Sequence, residues 1–426
     1  MTILFLGGLI VFLIAIGVPL GFSIVAASLV VIWIDGTINP VIIAQRFHSG
    51  MNSFTLLAIP FFLLAGSLMS RGGITHRLIH FANALVGRFT GGLAISNVTA
   101  SVFFSGISGS AVADTSMMGR IFIPAMIRDG YSRSFSVATT AASSIVAPII
   151  PPSIVFIVYG VVSEQSIIRL FVAGLIPGAL LSAIILGCVY VIARRRGYPV
   201  QPAASMRELF TAFRGAIPAL AMPILILLGI VGGIFTVTET SAIAVFYALL
   251  VGIFVYRELT FEGFMAALRE TVHLTGVIMI IVGAAQLFAW QLAYADIPRA
   301  AVGLITAIAD NPILFLLLVN ILLLFIGTFM EANAAIVMLV PILHPAGVAL
   351  GVDPIHLGVV VVVNLCLGLI TPPIGLCLAV ACKIGGLPLE KSIRDIMPFV
   401  VLGVGFLLML SLFPAITLWL PNLLLN

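Results

Sequence analysis

Residues 104–115 read FSGISGSAVADT and residues 143–153 read SSIVAPIIPPS. Both sit between long apolar runs, and both carry what a regular helix avoids. Proline removes a backbone donor and breaks the helical ladder, while glycine lets the chain bend and pack closely. A shift of 221 residues (104 to 325) lays these segments onto a second pair, IGTFMEAN at 326–333 and GLITPPI at 368–374. Phe104, Gly106, Ala111, Ala113, Met117, Ile121, Pro124, Ala125 and Gly130 meet Phe325, Gly327, Ala332, Ala334, Met338, Ile342, Pro345, Ala346 and Gly351. Ile149, Pro151 and Pro152 then meet Ile370, Pro372 and Pro373, without a gap. Apolar composition inflates such matches, but it does not pair glycines and prolines at fixed spacing.

The surrounding chain belongs in lipid. Of 426 residues, 62% are hydrophobic and 8% charged, with a mean hydropathy of +1.29. A soluble domain carries about 25% charged residues. The class is therefore an all-α integral membrane protein, a polytopic helix bundle without room for a soluble domain. The formal charge of +4 comes from cations scattered singly or in short flanks. That is the pattern of the positive-inside rule rather than of a nucleic-acid surface. Cys188, Cys366, Cys377 and Cys382 lie in apolar stretches without CxxC spacing, so neither a metal centre nor a disulfide framework is indicated. The N-terminal MTILFLGGLIVFLIAIG lacks a basic leader and reads as a retained first span.

Stretches suited to spans or half-spans run at about 3–34 (broken at Pro19), 54–70, 93–119, 136–160, 169–193, 216–235 and 240–256. Others follow at about 273–294, 312–329, 333–350, 356–382 and 396–421. The longest hydrophilic interval, Arg194 to Arg214, opens with three arginines. With Arg257–Glu270 it is expected on the cytoplasmic side. The turn between them, Thr236-Val-Thr-Glu239, would face outward and has the spacing of a capping box. Segment 258–269 is amphipathic and is expected to lie along the membrane interface.

Exposed backbone cannot face lipid, so interrupted chain at membrane depth must be buried in protein or line a cavity. Gly/Pro-interrupted segments at matching places in two halves point to a transporter's binding site. The plainer alternative is a pair of proline-kinked helices inherited by duplication, with the serines serving as small-residue packing. Ser105, Ser108 and Ser110 crowd one candidate tip, where hydroxyls and freed carbonyls suit a hard cation. Three acids lie near apolar interior: Asp114 and Glu331 after the two tips, and Glu239 in the outward turn, where a cap explains it. Asp114 either shapes the ion site, ligates directly, or holds the hairpin by capping or pairing with Arg120. Gly106-Ile-Ser108-Gly109 matches the short GxSG pattern of intramembrane serine proteases, but no histidine stands in a partner motif. No Walker sequence is present.

FSGISGSAVADT, PIIPPSI, the Gly327–Asn333 segment, GLITPPIG and FTVTETSA together resemble the large membrane subunit of tripartite ATP-independent periplasmic (TRAP) transporters, over essentially the whole chain. FTVTETSA departs from the family's usual TPTEA at Val237 and Thr240–Ser241. The resemblance implies an elevator-type symporter of the bacterial inner membrane, with inverted repeats, two re-entrant hairpins and two unwound helices. It implies import of an organic acid, such as a C4-dicarboxylate or sialic acid, driven by two sodium ions and without an organic cofactor. The partners it implies are a periplasmic substrate-binding protein and a small four-helix membrane subunit, here expected as a separate chain. Carried over by motif, the first sodium site would use Ser105, Ser108 and Ser110 with backbone oxygens of Ala147, Ile150 and Pro152. The family usually has glycine at Ala147, but a carbonyl survives that change. The second would use Gly327, Gly368, Thr371 and Ile374, with Asp114, Glu331, Asn333, Pro151, Pro372 and Pro373 shaping the sites. The 221-residue shift independently pairs Ala147 with Gly368 and Ile150 with Thr371.

The implied layout is one membrane domain in four parts. Scaffold helices fill 1–92 and the first transport repeat 93–193. The cytoplasmic loop with further scaffold and arm helices fills 194–311, and the second repeat with a C-terminal helix fills 312–426. Half-helix N-termini at the tips would favour a carboxylate. No arginine stands out within the hairpins; Arg46 and Arg299, near span ends, are the cations the sequence offers. Two other readings remain at this stage: an ion-coupled carrier working without a binding protein, and the protease.

Overall fold

The computed structural model describes residues 2–36, 39–295, 303 and 311–425. Its elements are helices; α1 (Thr2–Ala15) and α2 (Leu20–Asp35) part at Pro19, where the sequence breaks the first apolar run. Next come α3 (Val41–Met51), α4 (Ala58–Arg71) and α5 (Ile74–Val86). The first interrupted unit comprises α6 (Gly92–Ser108), α7 (Ala111–Arg128), α8 (Arg133–Ser144) and α9 (Ile154–Ser163). After it run α10 (Ile167–Arg196), α11 (Met206–Val231), α12 (Val237–Leu250) and α13 (Phe261–Tyr294). The second unit repeats the pattern as α14 (Pro312–Gly327), α15 (Ala332–Ala349), α16 (Pro354–Gly368) and α17 (Leu376–Gly385). The chain closes with α18 (Leu389–Leu412) and α19 (Ala415–Leu424).

Seven helices among the described residues are long and apolar enough to cross a membrane. Those of the two units are mostly shorter than the roughly 20 residues a span needs. Only α15 of these is among the seven; α8 with α9 and α16 with α17 follow one another across the interruptions. The interruptions fall where the prolines predict. The same 221-residue shift carries the start and end of α7 onto those of α15, and the start of α8 onto that of α16.

The packing of the units is crossed. Helix α7 packs against α17, and α15 packs against α9, so each unit closes on the other's second half. Helices α2, α3, α4, α12 and α13 form a neighbouring group, with α13 touching α2, α3 and α4. Helix α5 bridges from α11 to α6. The interhelical core is small-residue rich; at Gly66 a Cβ would stand 2.8 Å from the Ile107 carbonyl oxygen, so α4 lies directly against the end of α6.

Helix α13 corrects one expectation. Residues 261–269 of the amphipathic segment are not a separate element but the first turns of the 34-residue helix Phe261–Tyr294. No proline separates it from the apolar run, so the helical ladder continues.

At the start of α12 the capping box forms as the spacing predicts. Thr236 Oγ1 accepts from Glu239 N at 3.3 Å, and Glu239 Oε2 accepts from Thr236 N at 2.8 Å. Thr236→Ala is expected to cost about 1 kcal/mol, read as a lowered unfolding midpoint in detergent. An unchanged midpoint would show the box to be idle.

Candidate functional site

Each tip meets the break of its own unit. In the first, α6 ends at Ser108 and α7 starts at Ala111, with Gly109 at φ 58° between them. A Cβ on Gly109 would stand 3.0 Å from the Pro152 carbonyl oxygen, so tip and break abut. In the second, a Cβ on Gly368 would meet the Gly327 backbone at 2.5 Å. Gly375 N donates to the Thr328 carbonyl at 3.1 Å, tying that break to that tip. The Pro151–Pro152 and Pro372–Pro373 peptide bonds are both cis.

Two hydroxyls at these joints give their protons to main-chain carbonyls of the preceding turn. Ser105 Oγ donates its proton to the Ser101 carbonyl at 2.7 Å, and Thr371 Oγ1 donates to Leu367 at 2.8 Å. A hydroxyl has one proton and two lone pairs, so each oxygen can still accept. Ser108 Oγ is buried and has no hydrogen-bond partner. Ser110 Oγ caps α7, accepting from Ala113 N at 3.4 Å. Within the breaks, among the described residues, no donor reaches the carbonyls of Ala147, Ile150, Pro152, Gly327 or Ile374; Gly368 accepts from Thr371 N at 3.0 Å. Oxygen-rich, donor-poor joints of this kind can hold a hard cation.

The acids take separate roles. Glu331 caps α15, with its carboxylate accepting from Asn333 N at 2.9 Å and Ala334 N at 3.3 Å. Asn333 Nδ2 donates to the same carboxylate at 2.9 Å. Asp114 is fully buried, and among the described residues neither carboxylate oxygen has a hydrogen bond. Ser101 and Ser144 lie beside it, but their hydroxyls donate to Ser143 Oγ and to the Thr140 carbonyl, and no ion pair joins Asp114 to Arg120 among the described residues.

Both tips open onto one cavity of about 920 Å³. Its walls include Ser108–Ala113 and Glu331–Ala334 on one side and Ser67, Arg71 and Glu270 of α4 and α13 on the other. Arg120 of α7 also lines it, which sequence reasoning missed. The available signal was spacing: Ala113, Ser116, Met117, Arg120 and Ile121 share one helical stripe. Arg46 lies instead beside Trp290, its guanidinium carbon 5.7 Å from the ring centre, and Arg299 falls outside the described residues. Ser108 has no base within hydrogen-bond reach among the described residues, so the GxSG segment lacks the partner a nucleophile requires.

Comparison with known proteins agrees with this arrangement. The crystal structure of the YdaH transporter of Alcanivorax borkumensis shares the fold, with a TM-score of 0.64 at 15% identity, over 88% of this chain and 87% of that one. The sialic acid TRAP transporter large permease protein SiaM of Vibrio cholerae is 42% identical over 410 residues, 96% of each chain. The C4-dicarboxylate TRAP transporter large permease protein DctM of Pseudomonas aeruginosa is 42% identical over 380 residues, 89% of each. The family described as tripartite ATP-independent periplasmic transporter, DctM component, matches residues 6–416. Paired helix interruptions around one cavity, in a chain of this hydropathy and with these relatives, place the protein in that family: it is a multi-pass inner-membrane permease subunit and not an enzyme.

Proposed function

We propose that this subunit imports an organic carboxylate by sodium symport, receiving it from a periplasmic binding protein and working beside a small membrane subunit. The observation that carries the reading is the pair of joints between tip and break, each with carbonyl or hydroxyl oxygens free to accept, beside tips whose residues 108–113 and 331–334 line one cavity. Relatives named for sialic acid and C4-dicarboxylate transport support the substrate class.

Under this reading Ser105, Ser108 and Ser110 hold one sodium with the carbonyls of Ala147, Ile150 and Pro152. Gly327, Gly368, Thr371 and Ile374 hold the other. Sodium neutralises the crowded lone pairs, orders the tips and completes the cavity wall for the anion. Residues 93–193 and 312–426 then move as inverted transport repeats against the scaffold of 1–92 and 194–311, in an elevator cycle, and the tips act as re-entrant hairpins. Each sodium entering down 100 mV supplies about 2.3 kcal/mol, and each negative charge on the anion costs as much. With two sodiums a monoanion keeps one net charge of drive, and a dianion relies on the sodium gradient itself.

The test is uptake into liposomes containing this chain with its small membrane subunit, with and without the binding protein and a sodium gradient. Ser108→Ala and Thr371→Ala are each expected to raise the half-saturating sodium concentration about tenfold, since each removes one oxygen ligand at a cost of roughly 1–1.5 kcal/mol. Unchanged sodium titrations in both variants would refute the assignment. Uptake equal without the binding protein would favour a free-standing carrier.

A further inference from the structure

The cavity holds two arginines, and they are not equivalent. Arg71 Nη2 donates to Glu270 Oε2 at 3.1 Å, and Ser67 Oγ donates to the same oxygen at 2.8 Å. Arg120 has neither an ion pair nor a hydrogen bond among the described residues. The other acid on the cavity wall, Glu331, is engaged by the N-terminus of α15 and by Asn333. Among the described residues, the wall therefore keeps one cation, Arg120, without a counter-ion.

Arg120 is also misplaced for a flanking positive charge. Helix α7 continues to Arg128, about 12 Å further along at 1.5 Å per residue. Met118, Gly119, Phe122 and Ile123 around it are buried, while Arg120 projects on the stripe that faces the cavity. Side chains lean toward a helix's N-terminus, and the N-terminus of α7 is the first tip. The two tips also differ in their caps. The N-terminus of α15 is neutralised by the Glu331 carboxylate, whereas that of α7 is capped by the neutral Ser110 hydroxyl. The first turn of α7 carries the buried Asp114, which does not line the cavity, so on the cavity face of this helix Arg120 is the charged group.

We propose that Arg120 is the specificity-determining residue that holds the acidic group of the transported anion, against the first tip rather than the second. This rests on the organic-acid reading above. A guanidinium pairs a carboxylate or sulfonate through parallel N–H donors, a geometry that lysine cannot reproduce.

The test uses the detergent-solubilised complex of this chain with its small membrane subunit, in saturating sodium. N-acetylneuraminate, succinate and isethionate are titrated separately, and affinity is read from the shift in unfolding temperature. For whichever anion binds the unmodified protein, Arg120→Gln is expected to raise Kd about tenfold to a hundredfold, the loss of a charge-assisted contact. Arg120→Lys should fall between, Arg128→Gln should stay within about twofold, and the half-saturating sodium concentration should not move. A Kd within about twofold of wild type in Arg120→Gln overturns the assignment and leaves the transport reading standing. An unmodified protein that takes none of the three anions overturns both.

Discussion

Gly368→Ala is expected to reduce sodium-driven uptake to less than about a tenth of wild type while the protein still reaches the membrane. The added methyl would stand 2.5 Å from the Gly327 carbonyl carbon and 2.6 Å from its Cα. Both are backbone atoms, so no rotamer change relieves the contact. Overpacking of this kind costs about 1–3 kcal/mol, and the cheapest relief is to separate break from tip. That parts Gly375 N from the Thr328 carbonyl and opens the joint where the second cation is placed. The first unit has Ala147 at the matching position, fully buried, so a methyl there is already accommodated. The two joints are similar in sequence but not in tolerance. Uptake at wild-type level, measured in liposomes beside a monodispersity check, would show that the second joint is not built by this contact.

The second large effect concerns stability. Arg196, at the end of α10, pairs with Asp395 of α18, whose side chain is 7% exposed. The guanidinium also lies over Phe135 and reaches Ser132 at 3.4 Å. Arg196→Met keeps most of the apolar stem but leaves a buried carboxylate without its cation. Breaking such a pair costs about 3–5 kcal/mol when fully buried; with Arg196 itself 36% exposed, about 2–3 kcal/mol is expected. Thermal unfolding in detergent should show a clear fall, largely recovered when Asp395→Leu is added. A fall that the double variant does not recover would place the effect in lost packing over Phe135 instead.

Much of the architecture was legible because proline and glycine act locally. Single prolines such as Pro124 and Pro177 stay inside helices, but the clusters of Pro148 with Pro151 and Pro152, and of Pro372 with Pro373, remove several donors at once, and the breaks fall where they stand. The Thr236–Glu239 box forms within a few residues of chain and could be read directly. Arg120 could not, because its meaning depends on α4 and α13 walling a cavity opposite it. Glu331 was legible only as an acid near the second tip; that it caps α15 through the backbone N–H groups of Asn333 and Ala334 emerges from the structure. The continuity of α13 was missed for another reason. Amphipathic and apolar segments differ in periodicity, yet nothing in that difference ends a helix. The burial of Asp114 follows from the packing of α7 against α8, a contact no sequence period specifies.

The crossed packing of α7 on α17 and of α15 on α9 sets a timetable for biogenesis. When the ribosome has finished Arg128, the segment that will cover α7 lies some 250 residues ahead. At roughly 5–20 residues per second that is a wait on the order of 10–50 s. Through that interval the early unit sits in the bilayer with its partner-facing side chains and interrupted main chain unmatched, a substrate for chaperones and quality-control proteases. The permease becomes a finished object only when its last third arrives.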